Sequence, residues 1–171
     1  YKIGDEESIW GGEGMFRFPE GSIIAPGQVA VVAQIAVGFR AMYGRDPDFE
    51  IVDSIPQVPD MVRYSLWSSG EVALANDGDE VLILDGKNQI IDSINYGDKL
   101  TYFSPSIGDV YSGQSIERIP ASCDSETAAD WQPQRFPTPG KVQLDGECSA
   151  HVEQDPANIN LLSIGEIQGE D

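Results

Sequence analysis

The stretch LANDGDEVLILDGKNQIIDSINYG, residues 74–97, constrains this chain more than any other. An aliphatic run, 81–84, and an isoleucine-rich stretch, 90–94, flank the turn residues Asp85, Gly86, Lys87 and Asn88. Asp-Gly and Asn tolerate the left-handed backbone of tight turns, so the pattern predicts two antiparallel strands joined as a hairpin. Alternation sends Val81 and Ile83 to one face and Leu82 and Leu84 to the other, which describes a strand covered on both sides. The same stretch carries Asp77, Asp79 and Asp85 at the strand ends and Asp92 inside the second strand. Those carboxylates either perform chemistry or shape the chain.

The remaining segments extend the strand pattern. MFRFPEGSIIAPGQVAVVA alternates Phe16 and Phe18 with Arg17, turns at PEG and APG, and predicts a strand over 28–33. Ile35, Val37, Phe39, Met42 and Tyr43 fit one broad helical face, and Gly44 and Pro47 stop it, so one helix is expected with its apolar stripe in the core. EVALAND, 71–77, leads into the hairpin and predicts a meander, while QSIERIP, 114–120, reads as one more strand. FPTPGKV, 136–142, closes the compact part, so one domain is expected over 1–148. Residues 149–171 read as a polar linker, SAHVEQDPAN, followed by the apolar strand-like run INLLSIGEI.

Charge narrows the function classes. With 29 acidic against 10 basic residues the formal charge is −19, which repels phosphate backbones and argues against nucleic acid as a partner. Such acidity fits solubility in a salty or extracellular setting, with specific cation binding as the alternative. The most apolar run, VAVVAQIAVGF at 29–39, is shorter than the roughly 18 residues of a membrane span and contains Gln34 and Gly38. Cys123 and Cys148 are the only thiols; in an oxidising compartment they predict a disulfide, and otherwise two separate buried thiols. The chain opens at Tyr1 with neither an initiator Met nor a signal-peptide pattern, which predicts a processed product or a piece of something longer.

Three stretches in order, LANDGDEVLILDGKNQIIDSINYG, SGQSIERIP and DSETAADWQPQRFPTPG, closely resemble the successive signatures of bacterial lamin-tail domains, relatives of the tail domain of nuclear lamins. FRFPEGSIIAPGQVAVVA and VGFRAMYGRDPDFE resemble the same group's middle section, so the likeness covers roughly residues 1–142. The resemblance implies an all-β fold, an immunoglobulin-like β-sandwich with one short helix inserted. It also implies no enzymatic activity in the module and a place on secreted or cell-surface proteins, sometimes beside nucleases or phosphoesterases. The family's two opening strands have no counterpart here, so they are expected before Tyr1 or replaced by another segment.

The candidate sites are few. Asp77, Asp79 and Asp85 suit turns, whose backbone their side chains cap, and calcium is the competing reading; the full calcium loop pattern D-x-[DN]-x-[DN]-G-x₅-E is absent. Asp92 shares a strand face with Ile90 and Ile94, and Arg118 shares one with Ile116, so a buried carboxylate and guanidinium are expected to meet unless one of them points to solvent. The single histidine, His151, lies in the polar linker away from any G-x-S-x-G elbow, and no paired-carboxylate cleft or phosphate loop is legible. Trp10, Trp67 and Trp131 are core candidates, with Trp67 in YSLWSSG the one a loop could present to a sugar. Trp67 with Ile159, Leu161, Leu162 and Ile164 forms the expected interaction surface, because a spare apolar strand is the material of strand addition between subunits.

The expected function is therefore a non-catalytic structural or interaction module of a secreted or cell-surface protein, engaged in protein–protein assembly or self-association and needing no cofactor. The alternative is a calcium- or carbohydrate-binding targeting module of a larger secreted enzyme.

Overall fold

The computed structural model describes residues 1–5, 13–146 and Cys148, together with the backbone of the short strand Ser163–Ile164. The chain gathers into two compact units, Tyr1–Ala73 and Leu74–Asp171. Among the described residues it is mostly strand, with one α-helix, and so belongs to the all-β class.

In the first unit the strands are β1 (Lys2–Gly4), β2 (Met15–Arg17), β3 (Val32–Ile35), β4 (Phe49–Val52) and β5 (Val62–Arg63), with α1 (Ala36–Tyr43) between β3 and β4. β2 pairs antiparallel with β1 on one side and β5 on the other, placing Phe16 opposite Ile3 and Arg63. β3 and β4 run parallel, Val32 opposite Phe49 and Ile35 opposite Val52, and the connection through α1 has the length a parallel crossover needs. The helix ends where the sequence predicts: Gly44 takes the left-handed conformation (φ 69°) and its N–H closes on Arg40 O at 2.8 Å.

The helix buries a narrower stripe than expected. Ala36 and Phe39 are buried and Tyr43 stacks on Phe39 at 4.7 Å, but Ile35, Val37 and Met42 are exposed. With an advance of about 100° per residue, positions 36, 39 and 43 line one side, and among the described residues the flanks stay largely uncovered. The strand expected over 28–33 starts late, at Val32, because the APG turn continues through Gln28, whose N–H bonds to Ala25 O at 2.9 Å.

The second unit contains β6 (Gly78–Leu84), β7 (Ile90–Gly97), β8 (Ser115–Arg118), β9 (Trp131–Gln134) and β10 (Ser163–Ile164). β6 and β7 form the hairpin, from Gly78 opposite Gly97 to Leu84 opposite Ile90, with an irregularity at Ile83/Leu84. Every residue of β6 is buried, as its two apolar faces require. Gly97 has φ 64°, and a Cβ there would lie 2.2 Å from Asp77 O, so only glycine fits this crossing. The residues 71–77 do not make a strand. Asp79 Oδ2 accepts the Ala75 N–H at 2.7 Å and the Tyr96 hydroxyl donates to Ala75 O at 2.7 Å, so side chains take backbone groups that a ladder would have used.

The remaining strands make a three-stranded antiparallel sheet in the order β10-β8-β9. β9 contains Pro133, which has no N–H for a second neighbour and is therefore suited to an edge. The segment expected to be a spare strand thus lies partly on its own chain: Ser163 is paired with Glu117 and Ile164 with Ile116. Cys123 and Cys148 are joined in a disulfide with a Cα–Cα distance of 5.3 Å.

Candidate functional site

The most elaborate polar arrangement lies in the second unit, where Asp92 of β7 meets Arg118 of β8. Arg118 Nη1 donates to Asp92 Oδ2 at 2.9 Å and Nη2 to Oδ1 at 2.6 Å, a bidentate pair 1–2% exposed. The guanidinium also lies 4.7 Å from the Trp131 ring, and Asp124 Oδ1 stands 3.6 Å from Nη2. Burying either charge alone costs several kcal/mol, so the flat fork of arginine against a carboxylate is the arrangement that allows both inside. Next to it, Asp130 accepts Ser125 N–H at 2.6 Å and Ser125 Oγ–H at 2.8 Å, fixing the loop that carries Asp124. The pair holds the hairpin to the three-stranded sheet and leaves no oxygen facing a substrate, which makes it architectural.

Of the aspartates weighed as calcium ligands, Asp85 stands at the far end of β6 from Asp77 and Asp79. Asp85 Oδ1 accepts the N–H groups of Lys87 at 2.7 Å and Gln89 at 2.8 Å, and Asn88 adopts φ 65°, so Asp85 organises the hairpin turn. Asp79 uses Oδ2 on Ala75 N–H and Oδ1 on Glu80 N–H at 2.9 Å. Asp77 precedes β6 and its carbonyl accepts Asp98 N–H at 2.9 Å. β6 separates Asp79 from Asp85 by roughly 20 Å at the usual strand rise, so no ion could bridge them.

Two polar centres carried no sequence signal. Glu50 of β4 is fully buried, with Oε2 accepting from Ala36 N–H (2.8 Å) and Ser54 Oγ–H (2.5 Å) and Oε1 from Ile55 N–H (2.9 Å) and Ser54 N–H (3.1 Å). Burial pushes its pKa up, but the hydrogen bonds from Ser54, Ile55 and Ala36 outweigh it and hold the carboxyl below its ordinary value. Asp53 and Asp60 lie close by, and burial with the charges of Asp53 and Glu50 raises Asp60. With both Glu50 oxygens taken by four donors, this trio offers a cation only two exposed carboxylates. Asn95 of β7 is the second centre: Nδ2 donates to Lys99 O (2.9 Å) and Ser106 Oγ (3.0 Å), while Oδ1 accepts from Phe103 N–H (3.0 Å). Glu80, opposite Asn95, accepts from the Thr101 hydroxyl, so the two together dock the loop after β7.

Two surfaces remain as candidates for recognition. A groove of about 310 Å³ in the second unit is lined by Leu74, Tyr96, Tyr111 and Ile116, with Asn76 and Asp109 at its wall. Tyr111 is 84% exposed on a turn pinned by Gln114, whose N–H reaches Tyr111 O at 2.9 Å and whose Oε1 accepts Tyr111 N–H at 3.0 Å. Trp67 is not the presented aromatic: it is half-buried with Nε1 turned inward and without an acceptor among the described residues, while its neighbour Leu66 is 81% exposed.

The other surface is the β8 edge. β8 shares four residue pairs with β9 and two with β10, and all four of its side chains are buried. Among them Glu117, 4% exposed, has Oε1 without a partner among the described residues, and burial raises its pKa. Ile159, Leu161, Leu162, Trp10 and His151 lie outside the described residues, and of Ile164 only the backbone position is described.

No family model, curated protein or solved structure matches the chain. Its function is therefore read from these surfaces. Among the described residues no helix is long and apolar enough to cross a membrane, and the disulfide is compatible with an extracellular setting.

Proposed function

We propose that the chain is a non-catalytic interaction module of a secreted or cell-surface protein, with the β8 edge as its working surface and strand addition as its mode of assembly. The carrying observation is that the β8 edge takes an apolar-flanked strand, Ser163–Ile164, from a remote part of the chain. An edge that accepts one strand offers the same backbone donors and acceptors to any strand that reaches it. Three of the buried acids support a non-catalytic reading, because Asp92, Glu50 and Asp130 are each committed to a structural partner. The ordered motifs that resemble bacterial lamin-tail domains support an immunoglobulin-like sandwich of that family as the finer description.

The test is a photo-reactive residue at Ser163 in the full-length protein on the surface of the cells that make it. Discrete cross-linked species of higher mass are expected; a protein that remains at the mass of one chain overturns the reading.

The tyrosine groove favours a second reading, a site for a neutral carbohydrate. Tyr96 and Tyr111 offer flat faces to sugar rings and Asn76 and Asp109 offer planar polar groups, while the charge of −19 disfavours anionic glycans. Binding of a neutral oligosaccharide that Tyr111→Ala abolishes supports it; a neutral-glycan array without a hit removes it.

A further inference from the structure

We infer that the tyrosine groove is held in its binding shape before a ligand arrives: Gln114 positions the wall made by Tyr111, and Asp79 with Tyr96 positions the wall made by Leu74, Ala75 and Asn76. This rests on the reading of the groove as a site for a neutral oligosaccharide, and it names the residues on which recognition there depends.

Tyr111 stands on a turn closed from both sides. The Gln114 N–H reaches Tyr111 O at 2.9 Å, Gln114 Oε1 accepts the Tyr111 N–H at 3.0 Å, and Gly113 has φ 79°, the left-handed value that such a turn needs at its third position. The same construction occurs in the first unit. In APGQ, residues 25–28, the Gln28 N–H reaches Ala25 O at 2.9 Å, Gln28 Oε1 accepts the Ala25 N–H at 3.0 Å, and Gly27 has φ 75°. There the first position is an alanine, so the turn closes without an aromatic ring. Tyr111 is an addition to a frame that does not need it, and a flat side chain 84% exposed on a fixed backbone is suited to stacking on a sugar ring.

The second wall is clamped at Ala75. Asp79 and Tyr96 are cross-strand partners on β6 and β7; Asp79 Oδ2 accepts the Ala75 N–H and the Tyr96 hydroxyl donates to Ala75 O, each at 2.7 Å. Both backbone groups of Ala75 are thus taken by side chains, which hold residues 74–76 in place without a ladder. The Tyr96 hydroxyl proton is committed to that bond, so Tyr96 offers a ligand its ring. A site that must order its own loops and side chains on binding loses affinity to that ordering, and fixing them beforehand removes the loss.

The experiment screens the whole chain against an array of neutral oligosaccharides, takes the tightest binder, and measures its Kd by calorimetry for the parent, Tyr111→Ala, Gln114→Met, Gln114→Glu and Tyr96→Phe. Methionine keeps the length of glutamine without the acceptor, and glutamate keeps the acceptor. Gln114→Met is expected to weaken binding about fivefold, the loss when one side chain and its turn must be ordered on binding, and Tyr96→Phe, which frees Ala75 O and keeps the ring, by a similar factor. Gln114→Glu is expected to bind as the parent does. Amide exchange at Tyr111 reads the clamp directly: protection is lost in Gln114→Met and kept in Gln114→Glu, while the denaturant midpoint, set by the core, stays in place in both. A Gln114→Met variant that binds as tightly as the parent, or one matched in its loss by Gln114→Glu, overturns the positioning role of Gln114 while the carbohydrate reading stands; Tyr96→Phe with the parent's Kd does the same for the clamp on Ala75. An array without a hit, or a hit that Tyr111→Ala leaves unweakened, removes the carbohydrate reading and the inference with it.

Discussion

Two buried carboxylates, Glu50 in the first unit and Asp92 in the second, are accommodated by different means. In the first, Glu50 is surrounded by donors from residues 36, 54 and 55, supplied by the start of one helix and one following turn. In the second, Asp92 waits for Arg118, 26 residues away on another sheet. The first solution needs only local chain to fold; the second forms only when hairpin and sheet are in register. A remote ion pair therefore specifies how two layers sit together, and a locally saturated carboxylate specifies a loop.

The largest test of that contrast is Arg118→Met. It leaves Asp92 buried without its guanidinium and is expected to cost about 4 kcal/mol of unfolding free energy. The combined Asp92→Leu and Arg118→Met change removes both charges and is expected to cost much less, since two apolar side chains need no partner. Amide exchange along β6 and β7 reads both. Equal losses in the single and double variants would mean that shape, not charge, holds the layers.

The disulfide is the covalent counterpart of the ion pair, and both cysteines lie in the second unit. Replacing Cys123 and Cys148 by Ser is expected to cost about 3.5 kcal/mol in the chain-entropy description of a loop with 25-residue separation. Denaturant midpoints with and without reductant measure it. A loss shared with amides of the first unit would show that the units unfold together.

Glu50→Ala tests the local solution. It strands the N–H groups of Ala36 and Ile55, both buried, and is expected to cost about 3 kcal/mol, confined to the junction of β3, α1 and β4. If protection is instead lost first in β1 and β2, the loop is not what Glu50 specifies.

The contrast also explains what the sequence could tell. The hairpin was legible because alternation and Asp-Gly-Lys-Asn carry both the strand and its turn within one stretch. Asp92 and Arg118 were legible because each interrupts an apolar strand face, and a lone buried charge demands an opposite one. Glu50 was not, since it sits between Phe49 and Ile51 like any exposed strand residue and its donors are set by tertiary structure. Asn95 was hidden in the same way. The helix end was written in Gly44, but not which flank of the helix would be covered, so Val37 and Met42 look like core in sequence and are exposed in the fold. The strand-like run 159–167 was visible as apolar, whereas its partner, β8, lies some 45 residues upstream and leaves no mark in the run itself.

The smallest effect concerns pH, and it separates Glu50 from Glu117. Burial alone raises Glu117 above its ordinary value of 4.5, so the folded protein keeps a proton that the unfolded chain has released. Its contribution to stability is complete below about pH 4.5 and is lost as pH rises through the raised folded value. Hydrogen bonds hold Glu50 below 4.5, so its contribution is complete above that pH and is lost as pH falls through the lowered value. Glu117→Gln is expected to flatten the decline of the β8 sheet on the alkaline side of 4.5, leaving the variant more stable than the parent at neutral pH, while Glu50→Gln flattens the acid-side loss in the first unit. Stability measured strand by strand through amide exchange, from about pH 2.5 to pH 7, separates the two slopes. A Glu117→Gln variant with the parent's slope along β8 would show that another group compensates the buried charge of Glu117.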